Sequence, residues 1–477
     1  MRIACIVPHY GTELTGTTER HGRLIAEQLA ERHAVDVLAT CARDEHTWRN
    51  EYAEGADRVR GVTVRRFATS RTRDDSECAR YAEWLLTHRH GRTEEVEWLK
   101  REGPWSPGLV EYLERHHQQF DVLLFFGYGH APVASGIRVA PHKSVLVPLV
   151  ARRDDPALQL GVVQEVFGAA AGIAWSSDAE REFIRGRFPL RAVAEAVIGC
   201  GVALPEGEAV AEGAEPPAPP EGGREPFAPH IEGPANAFRR RHRIYQPFVL
   251  HAGRIDAGRG VEELLEYFQS YVKDGGDATL VLMGVKCLPI PDDPHVRFAG
   301  VLPDEERLHA LEAASVVVAP FPDDGPALVA LEAFSVGTPV LGNARSDALV
   351  DACRRSQAGL FYADRWEFVE GLKLLLRDEA LRAAMGRHGK AFINQHHRWS
   401  LVLQKYEQLF GRLRGGAAGS HQADRGRDAQ APRERTADAG PEPGRDRDRQ
   451  RDWNRSRGRR PHRDRDRGRR PQHRRRP

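Results

Sequence analysis

Cysteine is sparse and unpatterned in this chain. Six Cys (Cys5, Cys41, Cys78, Cys200, Cys287, Cys353) are scattered over 477 residues with no CxxC spacing. This argues against a zinc site and a disulfide scaffold and favours a reducing cytosol. No run approaches the ~18 apolar residues of a membrane-spanning helix. SVLVPLVA and ASVVVAPF are short and read as buried strands. The opening MRIACIVPHYG lacks the long apolar stretch and small-residue cleavage site of a signal peptide and reads as a strand. GxGxxG and GxxxxGK[ST] are missing too, so neither a standard dinucleotide site nor a Walker loop is supported. No Asp-x-Asp metal motif follows a strand, and the Asp-Arg-Asp repeats near the C-terminus are compositional.

The length exceeds one compact core, so two domains are expected. Apolar residues make up 40% and charged residues 29%, which suits a globular body with a polar extension. The formal charge of +2 conceals an asymmetry. From Gly415 onward 20 Arg face 10 Asp plus Glu; this excess leaves the preceding residues at −8.

Short apolar runs alternate with amphipathic helical runs, twice over. In the first half RIACIVP, AVDVLAT, GVTVRRFAT, FDVLLFFGYG, KSVLVPLVA, AGIAWSS and VAEAVIG read as strands, with helices from about Glu19 to Arg32 and over PGLVEYLERHHQ. The pattern stops near Ala203 in a Pro-, Glu- and Gly-rich stretch that cannot form a core. It restarts at Phe248 with FVLHAG, ATLVLMG, VRFAG, SVVVAP, PVLGN and AGLFYA. Helices fall near 261–273, 304–314 and 327–336, and three helical stretches end near Leu413. This predicts an α/β protein of two doubly wound, Rossmann-like domains with parallel sheets facing a cleft. The boundaries are residues 1–203, a linker at 204–236, a second domain at 237–395, a C-terminal helix at 396–414 and a disordered basic tail at 415–477.

In such sheets ligands sit beyond the carboxyl ends of the strands. Three stretches there carry chemistry. After the first strand, PHYGTELTGTTER places Gly11 and Gly16 in a loop entering a helix, which suits a phosphate; a turn capped by Thr17 or Thr18 is the plainer reading. In GRIDAGRGVEEL, Arg254 and Arg259 flank a glycine-containing turn and can neutralise a diphosphate, or stand as two solvated side chains. In PFPDDGPALVALEAFSVGTPV, Asp324 and Glu332 are eight residues apart, too far for an acid–base dyad on one helix. They can contact different parts of one long ligand, with Glu332 suited to a ribose diol; alternatively Asp323 or Asp324 is an N-cap. Glu332 lies between apolar neighbours, and a carboxylate there needs a partner.

These pieces resemble retaining nucleotide-sugar glycosyltransferases of family 4, with the GT-B fold. The likeness is strongest from Phe248 to Arg377, in HAGRIDAGRGVEELL, VRFAGVLPDEERLHALEAASVVVAP and DGPALVALEAFSVGTPVL. The resemblance implies that Gly253 belongs to the diphosphate turn and that Arg254 and Arg259 hold the diphosphate. It also implies that Glu332 binds ribose, Asp324 touches the donor sugar, Leu302 holds the base through its backbone, and Gly16 and Thr17 approach the phosphates. The chain departs from the family at Asp324, one methylene shorter than the usual Glu, at Arg259 in place of Lys, at Thr17 in place of a second Gly, and at Arg153, where a His is frequent. His130 in GYGHAP is a second acceptor-side candidate beside Arg153, or an ordinary surface His. The implied activity is transfer of a hexosyl or other glycosyl group from a nucleotide-diphosphate donor to a hydroxyl acceptor with retention, in glycan or cell-envelope synthesis, without cofactor or metal. The rival readings are a sugar-nucleotide epimerase and a catalytically impaired nucleotide-sugar-binding protein. The expected location is cytoplasmic. The tail reads most plainly as a solubilising low-complexity extension; as an attachment segment, anionic lipid ranks above nucleic acid, since a transferase acting on a lipid-linked or envelope acceptor works at a membrane surface and Trp453 is the one aromatic there to stack.

Overall fold

The computed structural model describes residues 1–12, 17–150, 152–192, 194–204, 233–256, 258–322 and 325–428. Residues 1–424 form one compact unit built on two sheets. The first sheet contains β1 (Arg2–Ile6), β2 (Ala34–Thr40), β3 (Gly55–Val59), β4 (Val62–Phe67), β5 (Val122–Phe126), β6 (Ser144–Val147), β7 (Gly172–Trp175) and β8 (Ala194–Val197). Its order is β3-β4-β2-β1-β5-β6-β7-β8. All pairs are parallel except β3 with β4. The second sheet contains β9 (Phe248–Ala252), β10 (Thr279–Met283), β11 (Val296–Gly300), β12 (Val316–Ala319), β13 (Val340–Asn343) and β14 (Gly359–Tyr362). It is parallel throughout, in the order β11-β10-β9-β12-β13-β14.

Helices cover both sheets. Those of the first half are α1 (Thr17–Ala30), α2 (Asp75–Thr87), α3 (Arg92–Glu102), α4 (Pro107–His116), α5 (Ala131–Gly136), α6 (Gly161–Ala169) and α7 (Asp178–Arg187). Those of the second are α8 (Pro234–Arg241), α9 (Val261–Lys273), α10 (Asp304–Ala313), α11 (Leu328–Val336), α12 (Asp347–Ser356), α13 (Arg365–Arg377), α14 (Glu379–His396) and α15 (Trp399–Asp428). Central strands read as apolar runs, VLLFF in β5 and FVLHA, broken only by His251, in β9, because both faces are covered and every residue is buried.

The doubly wound architecture expected from the alternation is present, and the structure adds to it. Strand β3 and helices α2 and α3 carry little apolar periodicity and fell outside the sequence reading; β3 is an antiparallel edge strand with a largely exposed face. Helix α8 begins at Pro234, inside the stretch assigned to the linker, and α15 runs to Asp428, past the expected end at 414. The rest of the linker and most of the basic tail lie outside the described residues. Among the described residues no helix is long and apolar enough to cross a membrane.

The last helix belongs to the first sheet. Buried Val402, Leu403, Tyr406, Leu409, Phe410 and Leu413 pack with Ile3, Cys5 and Val37 in one cluster. The crossing happens at His397, whose Nδ1 lies 2.8 Å from the Cys200 carbonyl oxygen. A parallel bridge between Val202 and Arg398 adds to it. The chain that left the first domain after β8 is thereby tied to the returning helix.

Candidate active site between the two sheets

Each sheet has a point where its strand order reverses. In the first, β1 lies between β2 and β5; in the second, β9 lies between β10 and β12. Chains leave such neighbouring strands in opposite directions and open a crevice at the carboxyl ends. The loops after β1, β9 and β12 therefore enter one space. A cleft open to solvent is lined from the first half by Thr12, Arg20 and Arg23. From the second half Gly253, Arg254, Arg259, Leu302, Asp304 and Arg307 line it, over an apolar floor that includes Met283 and Phe321.

The floor requires glycine. Gly284, just past β10, has φ +142, and a Cβ on it would lie 1.8 Å from the Gly253 carbonyl oxygen. Gly260, at the start of α9, has φ +75, and a Cβ there would lie 2.2 Å from the carbonyl oxygen of Pro320. Both clashes are with backbone, which cannot swing aside, so only glycine lets the ends of β9, β10 and β12 close together.

Arg254 and Arg259 are brought to one point. Arg254 Nε donates to Asp256 Oδ2 at 2.9 Å, which fixes the plane of its fork. Its Nη1 then lies 4.0 Å, and Arg259 Nη2 3.7 Å, from the same oxygen, Oε1 of Glu45, in the turn after β2. The alternative of two solvated arginines is not what the structure has, since both line the cleft and face a carboxylate of the other half.

Glu332 is buried in α11, whose nine residues are all buried. Its partner requirement is met twice. Arg20 Nη2 donates to Oε1 at 2.5 Å, and Arg307 donates to Oε2 through Nε and Nη2 at 3.0 and 2.9 Å. Arg20 also donates to Asp304 Oδ1 at 2.9 Å. Arg23 and Arg60 reach Asp304 Oδ2 at 3.2 and 3.0 Å. Burial by itself would raise both carboxyl pKa values. Arg20 and Arg23, with Arg60 behind them, instead bring Asp304 down to about 2. Arg20 and Arg307 hold Glu332 below the ordinary carboxylate range. Both acids are charged at neutral pH, and each joins the two halves through Arg20.

The first-half wall carries a second polar cluster. His9 Nε2 lies 3.2 Å from Glu19 Oε1, one residue before Arg20. Burial raises the Glu19 carboxyl, but the His9 contact outweighs it and leaves the pKa at about 2. His130 precedes α5, and its ring stands edge-on to Trp48 at 6.1 Å. Burial pushes its pKa down to about 4, and its Nδ1 is buried with no partner. His130 is thus a neutral imidazole packed beside the wall and not a surface histidine.

The remaining sequence candidates divide. Gly253 and Leu302 line the cleft. Arg153 does not join Arg254 and Arg259. Its side chain is half exposed, pairs with Asp347 at the start of α12, and stacks over Phe183 at 5.4 Å. Asp324 and Gly16 lie outside the described residues, as does the Thr17 side chain; the backbone of Thr17 opens α1. Sequence reasoning missed Arg20, Arg23, Asp304, Arg307 and Glu45. The available signal was spacing: Arg20 and Arg23, and Asp304 and Arg307, are each three apart on one helix face. Among the described residues no group of three or more His, Cys, Asp or Glu is placed to hold a metal ion.

Residues 235–392 match the family Glycosyl transferases group 1. The stretch holds every second-half residue of the cleft. Over 155 residues the chain is 32% identical to the sulfoquinovosyl transferase SQD2 of Arabidopsis thaliana, covering 30% of this chain and 29% of that protein. The chain thus spans about three-tenths of the length of this curated relative. Two solved structures share the fold over nearly the whole compact unit. Sucrose-phosphate synthase from Thermosynechococcus elongatus aligns with a TM-score of 0.61 at 18% identity, over 87% of this chain and 99% of that one. The Anabaena protein HepE, solved with UDP-glucose, aligns with a TM-score of 0.56 at 14% identity, over 86% and 99%. The fold is GT-B.

Proposed function

We propose that this chain is a retaining glycosyltransferase that moves a sugar from a nucleotide-diphosphate donor to a hydroxyl acceptor. One observation carries the reading: two guanidiniums of the second half converge on a single anion position in a cleft at the switch points of both sheets. The family match over the same residues and a fold neighbour solved with UDP-glucose support it.

In this reading the diphosphate lies against Arg254 and Arg259. As the bond between the anomeric carbon and the phosphate oxygen lengthens, negative charge grows on the leaving group and the two guanidiniums stabilise it. The acceptor oxygen forms the new bond on the face the diphosphate leaves, which keeps the configuration, and its proton passes to the departing diphosphate oxygen. Glu332 is buried and both its oxygens accept from Arg20 and Arg307, so a ribose contact there requires one of these guanidiniums to give way. Two fixed cations can do the work of a metal here, so turnover is proposed to be metal-independent.

A thermal-shift panel of nucleotide sugars, beginning with UDP-glucose, tests the donor claim, because a ligand of the folded state alone raises the midpoint. One donor should raise it, and turnover of that donor should survive EDTA. Arg254→Ala or Arg259→Ala should lower kcat by about 10²–10³-fold, the scale of losing an oxyanion donor. Arg259→Lys should retain most of it. Incubation with donor alone separates transfer from epimerisation, and the anomeric configuration of the product checks retention. Wild-type turnover in both alanine variants would refute the reading.

A further inference from the structure

Glu45 has no part in the reading above, yet it faces both arginines on which that reading rests. Its carboxylate lies within 4.0 Å of both cleft arginines and comes from the opposite half of the molecule. Its turn is braced on several sides. Arg73 Nη1 donates to the Glu45 carbonyl oxygen at 3.1 Å. Thr47 Oγ1 donates to Asp44 Oδ2 at 2.9 Å, the Trp48 amide donates to the Asp44 carbonyl at 2.9 Å, and the buried Trp48 indole donates to the Glu102 carbonyl at 2.7 Å. The carboxylate itself makes ion-pair contacts to Arg254 and Arg259 alone among the described residues. A braced turn thus presents one acid to the two cations that a diphosphate would need.

We infer that Glu45 is a charge-selecting residue of the donor site: its carboxylate is the resident counter-anion of the Arg254–Arg259 pair, and a ligand diphosphate enters by displacing it. The inference rests on the diphosphate reading of these arginines. A carboxylate carries one negative charge and meets each guanidinium at 3.7–4.0 Å, outside hydrogen-bond distance. A diphosphate carries more charge and can form short bidentate contacts to each fork, so it wins the exchange, whereas a singly charged anion does not. All three side chains are about a fifth to a third exposed, so water and salt screen the contact and its displacement costs a ligand only a modest factor.

Isothermal titration of the full chain with inorganic pyrophosphate at low salt tests this. Glu45→Gln keeps the turn and removes the charge, and Glu45→Ala serves as a second variant. Both should bind pyrophosphate about 5–10-fold more tightly than wild type, a gain of affinity that a merely structural role does not produce. The gain should shrink at 0.5 M salt, on the scale set by a Debye length of about 3–4 Å. The Arg254→Ala/Arg259→Ala variant should lose binding with or without the Glu45 change. If that variant loses binding but both Glu45 variants bind no more tightly than wild type, the counter-anion role is overturned and the diphosphate site stands. If it binds as wild type does, or wild type does not bind pyrophosphate, the diphosphate reading falls and this inference with it.

Discussion

At the scale of single residues, Glu332 shows how a charged side chain survives inside an apolar helix. Its sequence neighbours are Leu331 and Ala333, and α11 is buried along its whole length. Taking a carboxylate out of water is costly, and the two guanidiniums offset that cost only as a set. Removing the acid leaves Arg20 and Arg307 facing each other, both largely buried. Glu332→Ala should therefore lower stability by about 3–5 kcal/mol in urea denaturation. A loss below about 1 kcal/mol would mean that the guanidiniums rehydrate and that the network is not what holds α11. The need for a partner was legible in the sequence from the apolar context. Its identity was not, because Arg20 is 312 positions away.

At the scale of elements, α15 is the least expected arrangement. Its sequence is amphipathic and reads as a helix, yet nothing local says which domain it covers. The structure packs it on the first sheet, against strands nearly four hundred residues earlier in the chain. Leu409 is fully buried there. Leu409→Ala should cost about 2–5 kcal/mol through the cavity it leaves. A chain ending at residue 398 should expose Ile3, Cys5 and Val37 and fail to fold as a monomer, which size-exclusion chromatography would detect. A folded monomer of that length would show that the helix is an ornament. The strands, by contrast, were legible one by one: fully covered parallel strands are near-continuous apolar runs, and β9, β10, β12 and β13 read that way apart from His251, Thr279 and Asn343. β3 was not, since an exposed antiparallel edge carries no such run.

At the scale of the whole molecule, buried imidazoles set the response to acid. His21, His130, His251 and His397 are each pushed down to about 4 by burial. In the unfolded chain each titrates near its ordinary value of about 6.5. Between these two values the unfolded state binds more protons than the folded one, so stability rises with pH across the window and is fully present above about 6.5. As pH falls from about 6.5 toward 4, the unfolding free energy from urea denaturation should drop by a total on the order of several kcal/mol. Below about 4, Asp304, with its folded value near 2, adds a second loss, since its ordinary value of about 3.9 lies higher. A flat profile from pH 7 to 4.5 would show that these rings gain water or protons without unfolding. Ion pairs that join the halves, Arg20 with Glu332 and Asp304, Arg153 with Asp347, and both cleft arginines with Glu45, add a salt dependence of the same interface.

Features that depend on near neighbours were already written into the order of residues. Alternating apolar runs specified two parallel sheets, and the position of Arg254 and Arg259 just beyond β9 put them at a crevice, because the carboxyl end of a strand is a local fact. Which charges meet depends on how the folded halves come together. Glu45 faces the two arginines, Asp304 gathers Arg20, Arg23 and Arg60, and Glu332 is held from both halves. Periodicity reports burial, which each residue expresses alone. A pairing between side chains almost three hundred positions apart exists only once two switch points have been brought face to face.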